Sequence, residues 1–216
     1  MTDEAIWPGL MAAIIPAALV SLILFLLLAS APAKAATITA KGNVIEIKGD
    51  IEFGDFDKFS AKLGAFPDTK IVSLNSRGGR ARDAYRIGVL LRIWEMGTIV
   101  PEGQTCQSAC VMIWAAGIWR ELAPGAGLYM HCHFNVEGLN KVKDLSKIDR
   151  KTLKCADVAN ENLARYYKYF GMPQEAIDIL SKSKPTDKVL VRRNMEGLIK
   201  PRSALVEISK PKRLGV

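Results

Sequence analysis

Charged residues are absent from one long stretch of this 216-residue sequence, between positions 5 and 33. Residues 9–30 within it are almost wholly apolar and long enough to cross a bilayer. They have no polar face, which argues against a buried amphipathic helix. Small-x-small cleavage sites follow at Ala33 and Ala35, but Asp3 and Glu4 stand where a signal peptide usually has basic residues. We therefore expect residues 1–36 to be a signal peptide or an uncleaved membrane anchor. The following domain, residues 37–216, would then lie in the bacterial periplasm or on the periplasmic face of the inner membrane.

The sequence also lacks a zinc-finger, homeodomain or aromatic RNA-binding signature, and it has no internal repeat. Its net charge is +8, and removing residues 1–35 takes away Asp3, Glu4 and Lys34 and makes it +9. A basic protein can bind anionic lipid or nucleic acid. We interpret the charge as a solvated basic surface and expect no nucleic-acid partner.

Cysteine is scarce: Cys106, Cys110, Cys132 and Cys155 are the four in the chain, and all follow the apolar segment. An even number in an exported domain fits two disulfides, although four cysteines allow three pairings. Proximity in sequence favours Cys106–Cys110 and Cys132–Cys155. Residues four apart on a helix are too distant for an easy bridge, so the first pair requires Cys106 to lie outside the regular helix.

Hydrophobic periodicity and turn residues predict alternating strands and helices, typical of an α/β protein with a mostly parallel sheet. Polar, basic residues 135–151 have no clear period, and we expect a loop or irregular arm there. The predicted elements are a hairpin around Gly42-Asn43, a helix from Gly54-Asp55 to Gly64, a strand at 70–75, a helix at about 80–96, a strand at 98–100, a buried helix beginning at Ser108, a strand at 127–134, helices at 152–170 and 173–180, and short strands at 189–191 and 204–208.

Ser108 lies where a polar turn becomes an apolar helix. The N–H groups of a first helical turn have no internal partner and lie at the positive end of the helix dipole. Serine at such a position either caps the helix or attacks a carbonyl whose oxyanion faces those N–H groups, and capping is the commoner role. The two histidines of the chain, His131 and His133, end one predicted strand and are candidate bases. Gly78 and Gly79 follow another strand, and their backbone can approach a substrate closely.

Four motifs together resemble the proteolytic subunit of the Clp protease and, more broadly, the ClpP/crotonase superfamily, over residues from about Val44 to Ile199. The resemblance implies a repeated β-β-α superhelix with a mostly parallel sheet, here preceded by an N-terminal apolar helix. The motifs are Leu74-Asn75-Ser76-Arg77-Gly78-Gly79, Cys106-Gln107-Ser108-Ala109-Cys110, Gly117 with Arg120, and Leu128-Tyr129-Met130-His131.

Carried over from the family, Ser108 is the nucleophile and His131 is its base. Gly79 and Ala109 supply the oxyanion-hole N–H groups, and Gly78 contacts the substrate. The family's acid best matches Asp187, with Asp178 as the fallback. No cofactor is implied.

The sequence departs from the family at three places. Two cysteines bracket Ser108, and their disulfide could brace the turn or narrow access to the serine. Arg77 replaces a frequent proline in the loop Ser76-Arg77-Gly78-Gly79, the glycine loop, and would leave the backbone of that loop less restricted. The stretch from Lys141 to Lys154 lacks the amphipathic pattern of an oligomer-forming handle, so a homo-oligomer stays open.

We therefore predict an exported serine hydrolase, a peptidase that acts on a protein or peptide through an acyl-enzyme. Residues 9–30 would attach it to the membrane if they are not cleaved. The alternative is a catalytically inactive scaffold of the same fold that binds protein partners at the membrane or in the periplasm. A zinc site using His131 and His133, with Cys106, Cys110 and Cys132 as nearby candidates, and a crotonase-type acyl-CoA enzyme are weaker hypotheses.

Overall fold

The computed structural model describes residues 35–133, 155–184, 187–191 and 198–199. The expectations for the apolar segment at 9–30, the arm at 135–151 and the strand at 204–208 lie outside the described residues. In chain order the elements are β1 (Thr37–Lys41), β2 (Val44–Lys48), α1 (Asp55–Ala65), β3 (Ile71–Asn75), α2 (Ala81–Ile93), β4 (Gly97–Val100), β5 (Thr105–Gln107), α3 (Ala109–Ala116), β6 (Arg120–Leu122), β7 (Gly127–Met130), α4 (Asp157–Tyr169), α5 (Gln174–Ile177), α6 (Ile179–Lys182) and β8 (Val189–Leu190).

The larger sheet has five strands in the order β1-β2-β3-β4-β6. The β1–β2 hairpin closes with Lys41 opposite Val44, around the Gly42-Asn43 turn that the sequence predicts. The other strand pairs of this five-stranded sheet are parallel, so β2, β3, β4 and β6 end at the same edge of the sheet. The predicted α/β class with a mostly parallel sheet is confirmed.

A second, three-stranded sheet has the order β5-β7-β8. Strand β5 pairs with β7 in parallel, and β7 pairs with β8 in antiparallel fashion. Ser76, directly after β3, joins the two sheets: its N–H donates to Thr105 O at 2.9 Å, and Gln107 N–H donates to Ser76 O at 2.9 Å. The glycine loop that follows β3 therefore lies beside the residues that precede Ser108.

Helix α3 is the central helix of the domain, because all eight of its residues are buried. Its sequence, Ala-Cys-Val-Met-Ile-Trp-Ala-Ala, is apolar on every side, as expected for a helix without a solvent-facing surface. Ser108 is its N-cap residue. The first turn of the most buried helix thus begins at the candidate nucleophile.

The Arg120 side chain is fully buried and joins three segments through their backbone carbonyls. Its guanidinium donates to Ala115 O in α3, to Phe170 O and Gly171 O after α4, and to Leu198 O, at 2.9–3.1 Å. Burial, together with the nearby charge of Arg92, lowers the pKa of Arg120 to about 10. Arg120 stays charged at neutral pH and ties the C-terminal ends of α3 and α4 together.

The structure contains two short strands and one interruption of a helix that the sequence did not predict. Strand β5 occupies residues that the pattern assigned to a polar turn, and β6 was not anticipated; each has three residues. The predicted helix at 173–180 is two short helices that meet at Asp178. In the part of the chain that the structure describes, no helix has the length and apolar character needed to span a membrane.

Candidate active site

Ser108 occupies the N-cap position of α3 without capping it. Its side chain forms no capping hydrogen bond with the first turn. Its backbone has φ 53° and ψ −122°, a positive φ that only Glu95 shares among the described non-glycine residues. Strained backbone of this kind persists only where the surroundings enforce it, and it is concentrated at functional sites. The geometry therefore disfavours the capping interpretation of Ser108.

A disulfide between Cys106 and Cys110 encloses Ser108 in a five-residue segment. The Cα atoms of the two cysteines are 5.3 Å apart, and Cys106 lies in β5, outside the helix, as the pairing requires. Both cysteines are fully buried, whereas Ser108 is half-buried. The bridge braces the strand-to-helix turn from its interior side.

The glycine loop lies directly against this turn. Gly78 has φ 96°, and a Cβ placed on it would be 2.8 Å from Ser108 Cβ and 2.9 Å from the backbone N of Ala109. The Gly78 N–H donates to the buried Ser76 Oγ at 3.0 Å, which holds the loop in this conformation. Only glycine leaves room for the backbone at this point.

Gly79, in the glycine loop, and Ala109, at the start of α3, are the expected N–H donors. Ile51 N–H donates to Gly78 O at 2.7 Å, and Arg80 N–H donates to Ile51 O at 2.8 Å. In a parallel bridge of this type, the N–H and C=O of the intervening residue, Gly79, point away from the paired strand. The Ala109 N–H belongs to the first turn of α3, where helical N–H groups have no internal acceptor.

Arg77 anchors the glycine loop to the residues that follow β2. Its Nε donates to Asp50 Oδ1 at 2.9 Å, and its Nη2 forms an ion pair with Asp50 Oδ2. This bidentate pair raises the pKa of Arg77, chiefly through the hydrogen bond. The expectation that arginine in place of proline frees the loop is therefore wrong, since the side chain fastens the loop instead.

Parallel pairing of β5 with β7 brings the serine and the candidate base to the same sheet edge. Gln107 is opposite Tyr129, and the Ser108 N–H donates to Tyr129 O at 2.9 Å. His131 follows Tyr129 by two residues and is half-buried, as Tyr129 is, whereas Met130 between them is buried. Tyr129 and His131 therefore lie on the same, less buried face, opposite to that of Met130.

The His131 ring is held by a backbone carbonyl. Its Nδ1 lies 2.7 Å from the Cys132 O. Because a carbonyl can only accept, Nδ1 carries the proton in this hydrogen bond, and the lone pair of the neutral ring resides on Nε2. A histidine that accepts a proton from serine needs this tautomer.

His133 and the residues beside it are attached to α4. Asn160 Oδ1 accepts from His133 N–H at 2.6 Å, Asn160 Nδ2 donates to His133 O at 3.2 Å, and Ala156 N–H donates to His133 O at 2.9 Å. Burial lowers the pKa of the His133 side chain, and the nearby charge of His131 lowers it further. His133 is therefore neutral at neutral pH.

The second disulfide joins Cys132 and Cys155, whose Cα atoms are 5.7 Å apart. Cys132 lies between the two histidines, and Cys155 lies two residues before the start of α4. Both pairings favoured by sequence proximity are present. With all four cysteines in disulfides, no thiolate is available to complete a zinc site with His131 and His133.

Asp187, the expected acid, lies two residues before β8. Met130–Val189 is the last pair of the β7–β8 ladder, and counting on by two residues would set Asp187 against Cys132 rather than His131. Its carboxylate Oδ2 accepts from the Lys184 N–H at 2.8 Å. Asp178, the fallback, is engaged within its own helical segment by Gln174 and Lys182, and these contacts lower its pKa.

Two kinds of protease have solved structures that share this architecture. ClpP1 from Listeria monocytogenes aligns with a TM-score of 0.52 at 15% identity, covering 76% of this chain and 95% of that one. The 1510-N membrane protease specific for a stomatin homolog, from Pyrococcus horikoshii, aligns with a TM-score of 0.50 at 16% identity, covering 77% of both chains. The chain has a ClpP-like fold.

The resemblance inferred from the sequence motifs is thus confirmed for the fold of this ClpP-like chain. A complex of a 1510-N point mutant with a substrate peptide also aligns, with a TM-score of 0.50 at 17% identity over 78% of this chain and 80% of that one. No protein-family model matches the sequence. No curated protein matches it either.

Two contributors to the site were not found from the sequence. Asn160 is 27 residues from His133 and lies on a helix whose pattern gives no sign of a role at the site. The ion pair between Asp50 and Arg77, 27 residues apart, was also not predicted. The two residues follow neighbouring strands and carry opposite charges, and this combination could have indicated the contact.

Proposed function

We propose that this ClpP-like chain is an exported serine hydrolase, a peptidase that forms an acyl-enzyme through Ser108. One observation carries the proposal: Ser108 is held at φ 53° at the start of a buried helix and does not use its side chain to cap that helix. A serine with a purely capping role has no need of this strain, whereas a nucleophile benefits from an exposed hydroxyl at a sharp strand-to-helix turn.

In the proposed reaction, Ser108 Oγ attacks the substrate carbonyl while His131 Nε2 takes the hydroxyl proton. The C–N bond then breaks, and the imidazolium returns the proton to the leaving amine. Water, activated by the same ring, hydrolyses the ester and regenerates Ser108. The N–H groups of Gly79 and Ala109 would face the oxyanion, and each such donor contributes about 3 kcal/mol to the rate.

A protein or peptide substrate is favoured over a small ester because the glycine loop has accessible main chain at Gly79, which is exposed and whose N–H and C=O do not take part in the bridge to Ile51. Main chain that is accessible next to a nucleophile can align an extended peptide through hydrogen bonds. The proteolytic activity of the structural neighbours agrees with this choice. The same features would serve a scaffold that binds peptides without cleaving them, which is the outcome to exclude.

The role of Asp187 as the acid stays a prediction. Counting the β7–β8 register on by two residues sets Asp187 against Cys132, on the opposite face from His131, and the hydrogen bond from Lys184 N–H occupies one carboxylate oxygen, so neither observation supports the role. If Asp187 orients His131, Asp187→Asn lowers the hydrolysis rate by several orders of magnitude. If it only stabilises its own turn, the rate stays within a few-fold of that of the unmodified protein.

Export to the periplasm, or to the periplasmic face of the inner membrane, is part of the proposal. Two disulfides support it, because disulfides persist in oxidising compartments and are rare in the bacterial cytosol. Attachment through residues 9–30 and self-association are open parts of the same proposal. Fractionation of cells that express the full-length chain, with alkylation of free thiols before lysis, tests both the location and the oxidation state.

The decisive experiment is labelling with a fluorophosphonate, which reacts with activated serines. The purified full-length chain is treated with the probe, and the adduct is located by mass spectrometry. We expect one adduct on Ser108, its loss in Ser108→Ala and His131→Ala, and its retention in Ser181→Ala, which changes an exposed helical serine. No adduct on a folded, oxidised protein would overturn the hydrolase proposal and favour the scaffold.

A further inference from the structure

One peptide group connects the candidate base to helix α4. The C=O of the Cys132–His133 peptide accepts from His131 Nδ1 at 2.7 Å. The N–H of the same peptide donates to Asn160 Oδ1 at 2.6 Å. The described residues contain no cis peptide bond, and in a trans peptide the N–H and C=O point in opposite directions within one plane. The orientation of the N–H toward Asn160 therefore sets the direction of the C=O toward His131.

Asn160 bonds to both backbone groups of His133, the N–H in this peptide and the C=O in the next one. Its Nδ2 also donates to His133 O at 3.2 Å, so the amide contacts both the N–H and the C=O of one residue. Ala156 N–H donates to the same oxygen at 2.9 Å, and the Cys132–Cys155 disulfide fastens the neighbouring residue. Rotation of the Cys132–His133 peptide would break the Asn160 pair and strain the attachments on both sides.

Hydrogen bonding also couples the two ends of the peptide. Accepting the N–H at Asn160 polarises the peptide and strengthens its carbonyl as an acceptor. A stronger acceptor at Cys132 favours the form of His131 that carries its proton on Nδ1. Asn160 thus influences both the orientation and the protonated nitrogen of the imidazole without touching it.

We propose that Asn160 is a positioning residue of the candidate active site, acting on His131 through the Cys132–His133 peptide to keep the lone pair on Nε2. This inference rests on the proposed function for its catalytic consequence, but the effect on the ring is independent of any activity. It assigns to α4 a role in the site that neither the sequence motifs nor the fold suggests.

The test has two readouts on the full-length chain. The first is ¹⁵N NMR of the imidazole nitrogens at pH 8, above the ordinary pKa of histidine. The chain has two histidines, and His133→Gln assigns their signals. We expect His131 to carry its proton on Nδ1, and in Asn160→Ala we expect a shift toward the form with the proton on Nε2. Asn162→Ala, an exposed asparagine on the same helix, is the matched control.

The second readout is the rate of fluorophosphonate labelling of Ser108. We expect Asn160→Ala to lower it by roughly 10- to 100-fold, the size of effect that misplacement of a reacting group produces. Asn162→Ala leaves it unchanged. Asn160→Asp keeps an acceptor for the His133 N–H and recovers most of the Nδ1–H signal, which a purely structural loss of α4 packing would not allow.

The outcomes separate the two proposals. If the unmodified chain is not labelled but the NMR signals change in Asn160→Ala and not in Asn162→Ala, the hydrolase proposal fails and the positioning role of Asn160 stands. If His131 keeps its proton on Nδ1 in a folded Asn160→Ala variant, the positioning role is overturned whatever the activity. If Asn160→Ala does not fold, Asn160→Asp decides: loss of most of the Nδ1–H signal of His131 overturns the proposal, and retention of most of that signal supports it.

Discussion

The backbone of Gly78 lies so close to Ser108 that a Cβ atom at position 78 would be 2.8 Å from the Cβ of Ser108. The same atom would be 2.6 Å from Gln107 O. Neither neighbour can retreat, because Ser108 is held by the Tyr129 carbonyl and by the adjoining disulfide. The glycine loop and the turn that carries Ser108 are therefore in direct contact, and each limits the position of the other.

Gly78→Ala is expected to abolish most of the reactivity of Ser108. The added methyl group displaces the turn by several tenths of an ångström or more, and misplacement of a nucleophile costs about 100-fold in rate. The φ of 96° adds about 1–3 kcal/mol of backbone strain. Fluorophosphonate labelling measures the reactivity, and urea unfolding measures the stability.

Gly103→Ala is the matched control for this prediction. Gly103 has φ 67°, but no atom lies within 4 Å of the position where its Cβ would be. The Gly103→Ala substitution therefore adds the strain of a positive φ without a steric collision. Equal labelling rates for the two variants would contradict the importance of the contact between Gly78 and Ser108.

Arg120→Met is expected to destabilise the protein strongly. Methionine fills part of the volume but leaves four carbonyl groups without this donor, three of them in buried contacts, and each unsatisfied buried acceptor costs about 1–3 kcal/mol. Relaxation recovers part of this, so we expect a loss of about 3–5 kcal/mol in the free energy of unfolding. The exposed Arg82→Met is the control and should change stability by less than about 0.5 kcal/mol.

Removal of the two disulfides should have different consequences. In the chain-entropy estimate, the Cys132–Cys155 bridge, with a sequence separation of 23, contributes about 3 kcal/mol, and the Cys106–Cys110 bridge, with a separation of 4, about 2 kcal/mol. Paired Cys→Ser variants and urea unfolding measure the difference.

The smaller bridge should nevertheless matter more for Ser108, because it encloses that residue. We expect the Cys106→Ser, Cys110→Ser variant to be labelled more slowly than its loss of stability explains. If labelling in both double variants simply follows the fraction of folded protein, the brace has no role at the nucleophile.

Protonation of His133 should lower the free energy of unfolding as the pH drops below about 6.5. Burial, and next the charge of His131, lower the pKa of His133 below its usual value of 6.5. The unfolded chain therefore binds the proton more readily, and the stabilisation by neutral His133 is fully present above pH 6.5 and is lost as the pH falls toward the folded-state pKa.

Urea unfolding at pH 7.5 and pH 5.5, in the unmodified chain and in His133→Gln, measures this contribution. The decrease between the two pH values should be smaller in His133→Gln. Taking the difference between the proteins cancels the carboxylates that titrate in both, including Glu52, whose pKa is raised mainly by burial. An identical decrease in the two proteins would contradict the assignment.

The sequence by itself determined the features that depend on neighbouring residues. The Gly42-Asn43 turn, the apolar run of α3 and the alternation of buried Leu128 and Met130 with Tyr129 and His131 follow from local conformational preference and from burial of one face. The order of the glycine loop, the serine and the histidine was sufficient to indicate the fold, and proximity was sufficient to favour both disulfide pairings.

Tertiary structure alone decided the features that depend on residues distant in the chain. Strands β5 and β6 have three residues each, too few for a periodic signal, and they become strands because β7 and β4 supply hydrogen-bond partners. Ser108 has a positive φ that its local sequence does not predict, and its N–H donates to the distant Tyr129 O. Asn160 reaches His133 across 27 positions. No local preference encodes such a contact, because it exists only after the packing of α4 has brought the two residues together.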